Sequence, residues 1–174
     1  CWGLDNGTGR LGVDFPEPEQ GPSSPQTVGG LHGVTAVAVG SDQSCALTTG
    51  GAVACWGRPL GWWSDEPGSH EPTAVEGIAG ALELSIDEAR ACAILSDRQV
   101  KCWGWIVPDM VGLPESASLT PVTIPGVTDA AKLTGSTYAP CVIRTTGTVA
   151  CWGNDYLGLT GSGRPLARTV YDVG

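Results

Sequence analysis

The stretch Cys45-Ala46-Leu47-Thr48-Thr49-Gly50-Gly51-Ala52-Val53-Ala54-Cys55-Trp56-Gly57 decides the fold. Apolar residues alternate on both sides of a polar turn, the period-2 pattern of a half-buried β-hairpin. The pattern returns as CAILSDRQVKC at 92–102 and CVIRTTGTVAC at 141–151. Leu47 mirrors Val53, Ile94 mirrors Val100 and Ile143 mirrors Val149. Gly51 and Gly147 stand where a tight turn requires positive φ. Arg98 takes that place in the second hairpin, whose turn is expected to be more strained. Symmetric pairing about each turn sets its two cysteines face to face, and a non-hydrogen-bonded antiparallel pair lies within disulfide range. Three disulfides are expected: Cys45–Cys55, Cys92–Cys102 and Cys141–Cys151. Each closes a short loop and adds on the order of 2–3 kcal/mol.

The hairpins belong to a longer repeat. Cys-Trp-Gly occurs at 1–3, 55–57, 102–104 and 151–153, at intervals of 54, 47 and 49 residues. A second element precedes each hairpin: PQTVGGLHGVTAVAVG at 25–40, PTAVEGIAGALELSID at 72–87 and PVTIPGVTDAAKLTGS at 121–136. Each reads as a short strand after Pro, a glycine-bearing turn and another short strand. A unit of about 50 residues with four short antiparallel strands is the signature of a propeller blade. The expected architecture is therefore all-β, a single partial propeller of about three and a half repeats over 1–174. Its repeats run 1–54, 55–101, 102–150 and, in part, 151–174. Such a piece leaves strand edges open at both ends, and three readings follow: an excerpt of a full propeller, an assembly of identical chains, or an open half-propeller. Cys1 lacks a partner ten residues upstream and is expected to be unpaired or intermolecular.

Composition agrees and excludes other classes. The 174 residues include 26 glycines and 13 prolines, and only 16% are charged. No apolar run approaches transmembrane length, and no heptad is sustained. Nine basic against eighteen acidic residues give a net charge of −9, with the basic residues scattered. Nucleic-acid binding needs a clustered basic footprint, so neither nucleic acid nor membrane insertion is expected. Three disulfides belong to an oxidising compartment, and secretion is the expected localisation.

These residues resemble the regulator of chromosome condensation repeat family. The first repeat carries the resemblance best: Trp2-Gly3, Asn6, Gly9-Arg10-Leu11-Gly12, Pro25-Gln26-Thr27-Val28, Val37-Ala38-Val39-Gly40, Cys45-Ala46-Leu47 and Gly51-Ala52-Val53. The resemblance spans the chain, and its Cys-x-Leu and Val-x-Cys-Trp-Gly variant looks like a secreted bacterial branch with a disulfide in each hairpin. It implies a propeller, in that family usually of seven blades, that works by binding proteins; secreted members that inhibit β-lactamases act this way. The chain departs from the family pattern at Gln43, Arg90 and Ala139, where the family commonly places His. Repeats two and three also lack the Asn-containing Gly-Leu-Gly loop.

Candidate binding residues fall in two groups. Trp62, Trp63 and Trp105 stand out of register with the repeating Trp2, Trp56, Trp103 and Trp152, and could form an aromatic platform for sugar or protein. Asp42, Gln43, Arg90 and Tyr138 lie in inter-strand loops of divergent sequence that propellers gather on one face. No catalytic motif is present, His32 reads as a surface turn residue, and the carboxylates at Asp14, Glu17, Glu19, Asp65 and Glu66 lack calcium-loop spacing. No catalytic residue, metal or cofactor is expected. Asn6-Gly7-Thr8 is a glycosylation sequon, relevant only in a eukaryotic secretory pathway. The leading functional expectation is a secreted, non-catalytic binding module for a protein partner. A self-associating subunit of an extracellular assembly or surface fibre comes second, and a glycan-binding propeller third.

Overall fold

The computed structural model describes residues 1–5, 7–14, 21–59, 68–88, 90–104, 118–135, 139–153 and 167–173. Twelve strands form three four-stranded antiparallel sheets among these residues. The first contains β1 (Val34–Val39), β2 (Gln43–Thr48), β3 (Val53–Gly57) and β4 (Ser69–Ala74). The second contains β5 (Ala81–Ile86), β6 (Arg90–Leu95), β7 (Val100–Gly104) and β8 (Ser118–Thr123). The third contains β9 (Ala130–Thr134), β10 (Cys141–Arg144), β11 (Val149–Gly153) and β12 (Ala167–Val173). Each sheet is a simple meander in chain order. The first strands of successive sheets meet, β1 with β5 and β5 with β9, so they form the inner ends of a fan. This is the expected all-β partial propeller. No helix among the described residues is long and apolar enough to cross a membrane.

The sheets are out of phase with the sequence repeat. A repeat counted from Cys-Trp-Gly gives its first two strands to one sheet and its last two to the next. The change of sheet falls after the proline-bearing strands β4 and β8. Proline lacks a backbone donor and is confined to sheet edges, and Pro72 in β4 and Pro121 in β8 occupy outer edges.

The hairpins form as the alternation requires. Cys45 faces Cys55, Cys92 faces Cys102 and Cys141 faces Cys151. All three pairs are disulfide-bonded, with Cα atoms 4.0, 4.1 and 4.1 Å apart. Backbone bonds from Thr48 to Ala52, Leu95 to Gln99 and Arg144 to Thr148 start each ladder. Counting inward by alternation puts the cysteines at the closer, non-hydrogen-bonded positions. The turns close over three residues, the third of them left-handed: Gly51 at φ 72°, Arg98 at 66° and Gly147 at 87°. Arg98 is the one non-glycine at positive φ among the described residues. Gly51 is needed twice over, because a Cβ there would lie 2.6 Å from the Cα of Gly80.

Each sheet has two faces, one turned back toward the preceding sheet and one forward toward the next. Period 2 puts the cysteines on the forward face and the tryptophans on the backward face. Between the first and second sheets, Cys45, Leu47, Val53 and Cys55 pack against Ala81, Ala91, Ala93, Leu95 and Trp103. Between the second and third, Cys92, Ile94, Val100 and Cys102 pack against Ala130, Leu133, Val142, Ala150 and Trp152. The linkers that change sheet add Ile78 to the first cluster and Ile124 and Val127 to the second. The first two disulfides thus double as core filler against the next sheet's tryptophan. Trp56, Trp103 and Trp152 are buried, whereas Trp2 is 61% exposed.

Candidate functional site

The inner strands run in one direction, so their C-terminal ends and the loops after them gather at one end of the fan. The two that follow Val39 and Ile86 are short. Gly40 N–H donates to Gln43 O and Asp87 N–H to Arg90 O, both at 2.8 Å. The loops touch across sheets: Ser41 Oγ donates to Glu88 O at 3.1 Å. That approach depends on glycine, since a Cβ at Gly40 would lie 2.6 Å from Asp87 O, and one at Gly135 2.6 Å from Ser85 Oγ. A shallow hollow of about 590 Å³ lies there, between Val39, Ser41, Ile86, Asp87, Glu88 and Gly135.

The expected residues divide in this setting. Asp42 is partly exposed at a loop tip, and its carbonyl accepts from Arg58 N–H at 2.9 Å. Gln43 and Arg90 open β2 and β6 at equivalent register, opposite Gly57 and Gly104. Both are buried, Arg90 to 3% exposure, so they act from beneath the surface. Arg90 donates from its backbone N–H to Asp87 Oδ1 at 2.9 Å and from Nη2 to Oδ2 at 3.1 Å. Burial pulls the Arg90 guanidinium below its ordinary pKa, while the adjacent Asp87 carboxylate pulls it back up. The pair clamps the 87–90 turn, leaving Ser41, Asp42 and Glu88 as the groups the face offers outward. They present two carboxylates and a hydroxyl, which suit a partner rich in hydrogen-bond donors; their three carbonyls are already taken, that of Ser41 by Arg10 Nη1, that of Asp42 by Arg58 N–H and that of Glu88 by Ser41 Oγ. Trp62, Trp63, Trp105 and Tyr138 lie outside the described residues, as do Asn6, Glu17, Glu19, Asp65 and Glu66.

Asp5 is a structural residue that sequence reasoning passed over. Its buried carboxylate accepts from Gly9 N–H at 2.9 Å and Leu11 N–H at 3.1 Å. Its carbonyl accepts from Thr8 Oγ1 at 2.7 Å. The loop so held turns Arg10 O toward Trp56 Nε1 at 2.9 Å and Ser44 Oγ at 2.8 Å. The usable signal was an Asp at the head of a glycine-bearing turn, a residue type whose side chain accepts from turn backbone N–H groups.

Residues 34–59 match the family model described as the regulator of chromosome condensation (RCC1) repeat. No curated protein matches the chain. Among solved structures, human WBSCR16 superposes with a TM-score of 0.78 at 21% identity, over 99% of this chain and 47% of its own. Prp20p from Saccharomyces cerevisiae, studied for binding to Gsp1p and histones, gives 0.76 at 14% identity, over 97% of this chain and 44% of its own. The yeast RCC1 (Prp20) bound to Kap60 gives 0.75 at 15% identity, over 99% and 44%. The chain thus spans about half the length of the structures it matches.

Proposed function

We propose that this chain of RCC1-type propeller blades is an extracellular, non-catalytic module that binds a protein partner through the loop face formed by 40–42 and 87–90. The observation that carries the reading is the contact of the two loops through Ser41 and Glu88, held from below by the buried Arg90–Asp87 pair. A face fixed in this way is preorganised, which lowers the ordering cost of association. The solved relatives named for Gsp1p, histones and Kap60 are protein binders on the same fold. The extracellular part of the reading is supported by three disulfides in 174 residues, since such bonds persist in oxidising compartments.

A photo-crosslinking residue placed at Ser41 tests this reading. The same residue at Thr146, an exposed tip at the other end of the third sheet, is the control. One protein trapped at position 41, absent at position 146 and lost when Asp42 and Glu88 are changed to Ala, is the expected result. Equal trapping at both positions would remove the loop face from the proposal.

A further inference from the structure

The forward face of the first sheet and the backward face of the second leave a groove that runs outward from β2 to β4. Its volume is about 630 Å³, and its described walls include Gln43, Cys55, Thr73, Val75, Glu76 and Trp103. Both sheets that form it have all four strands, so the groove belongs to a finished joint. The joint between the second and third sheets has the same register but different side chains. Gln43 opposite Gly57 becomes Arg90 opposite Gly104. Thr73 opposite Cys55 becomes Val122 opposite Cys102. Val75 and Ile124 make the same backbone bond, to Val53 O and Val100 O, both at 2.8 Å. Ile124 is 2% exposed, whereas the smaller Val75 is only partly buried.

At the inner end of the groove stands an uncommitted polar group. Gln43 is 8% exposed. Its Oε1 lies 3.8 Å from Cys45 Sγ, which is bonded to Cys55 and has no proton to give. The carboxamide makes no hydrogen bond among the described residues beyond this contact. Comparison with Arg90 explains why. Gly40 N–H bonds Gln43 O just as Asp87 N–H bonds Arg90 O. Gly40 therefore holds the place of Asp87, whose carboxylate engages Arg90. The close approach of Asp87 O demands glycine at 40, which leaves Gln43 without that partner. A buried carboxamide left unpaired opposes folding. Other hydroxyls of the groove are engaged: Thr73 Oγ1 donates to Glu71 O at 3.4 Å, and Ser69 Oγ accepts from Glu71 N–H at 3.1 Å.

We infer that this groove takes one aliphatic side chain of the protein partner together with its adjoining peptide group. Cys55, Val75 and Trp103 supply an apolar bed for the side chain. The Gln43 carboxamide offers a donor and an acceptor side by side, the complement of a peptide unit. A mostly apolar hollow of this volume with one placed polar group has the make-up of a ligand site. Glu76 is the one charged residue among the described walls, so the groove opposes an anionic group. Trp103 is 4% exposed, too deep to offer a ring face for stacking, which argues against a sugar. Gln43 follows directly on the 40–42 loop, so a segment of a partner seated on the loop face continues into the groove. That the segment comes from the partner rests on the proposed function; the chemistry of the groove does not.

The test titrates the intact, isotope-labelled protein with N-acetyl-leucine methylamide and follows the Gln43 side-chain amide and Val75 methyl resonances by NMR. Saturable shifts at both are expected, with affinity at least ten-fold above that of N-acetyl-glycine methylamide. Gln43→Leu should weaken binding at least ten-fold while the thermal midpoint holds or rises, because no protein hydrogen bond is lost. Thr73→Val with Val75→Ile, which installs side chains of the second joint, should block the probe and leave the protein folded. Equal binding of the leucine and glycine probes would overturn the proposal. So would full affinity in Gln43→Leu, or a lowered midpoint in that variant, which would make the carboxamide structural. The source of the segment is read from crosslinking at position 41, where Gln43→Leu should reduce trapping of the partner severalfold. Unchanged trapping by a variant that has lost the probe would overturn the partner as the source and leave the loop face standing. No trapping by the unaltered groove would instead strike the loop face, and the partner as source with it.

Discussion

The backward faces of the first and third sheets are built on one register and live in different surroundings. Leu133 on β9 is 8% exposed, and Val37, its counterpart on β1, is 65% exposed. Among the repeating tryptophans, Trp152 is 1% exposed and Trp56 on the first sheet is 3% exposed, covered where its Nε1 donates to Arg10 O, whereas Trp2, which precedes that sheet, is 61% exposed. The residue types differ little; what differs is whether a disulfide-bearing face stands behind them. In this fold an apolar residue gains its energy from the next sheet more than from its own. Burial is thus a property of the blade interface, which a single repeat cannot define.

The comparison is broken or sharpened most strongly at the tryptophans. Trp152→Ala should cost about 3–5 kcal/mol by cavity formation, read from the denaturant midpoint, while Trp2→Ala should stay within about 0.5 kcal/mol. Equal effects would mean that Trp2 is packed in solution. Next in size is Arg90→Ala, which empties the buried guanidinium site and removes the cation from beside the Asp87 carboxylate, and should cost about 3 kcal/mol. Arg90→Gln, which copies Gln43 at the same place in the first sheet, should cost less. If the two variants unfold together, the guanidinium's charge rather than its volume and hydrogen bonding governs the turn. Leu133→Ala should cost about 2–3 kcal/mol and Val37→Ala under about 0.5 kcal/mol. The smallest effect has the opposite sign. Arg98→Gly relieves a left-handed side-chain residue and should stabilise by up to about 1 kcal/mol. The reverse change, Gly51→Arg, should destabilise strongly, because Gly80 leaves no room for a Cβ. Both are read from thermal midpoints.

The hairpins were legible in the sequence because two signals coincide in eleven residues: strict alternation, and cysteines equidistant from a turn. Those signals fix pairing, disulfides and the Arg98 conformation without any long-range information. The phase of the sheets was not legible. The strand that ends one sheet and the strand that begins the next are joined by a short turn such as Val75–Gly80, which reads like a hairpin connection. Only contacts between sheets tell the two apart. Gln43 and Arg90 read as loop residues because polar side chains usually mark surface. The Arg90–Asp87 clamp has an i, i+3 spacing that many exposed turns share. Asp5 was overlooked because its ligands are backbone N–H groups, which leave no trace in composition.

Pro72 and Pro121 bear on how this molecule meets its neighbours. The Cys55–Thr73 pairing turns the Thr73 backbone inward, so the ring nitrogen of Pro72 points out from the rim. Where an outermost strand would otherwise offer a donor, it offers a ring, and an approaching strand finds a broken ladder. The rims of the first two sheets are blunted in this way, whereas β12, whose residues Ala167–Val173 include no proline, keeps an unbroken outer ladder. Molecules that crowd together rim to rim thus meet two edges that repel a strand and one that accepts it.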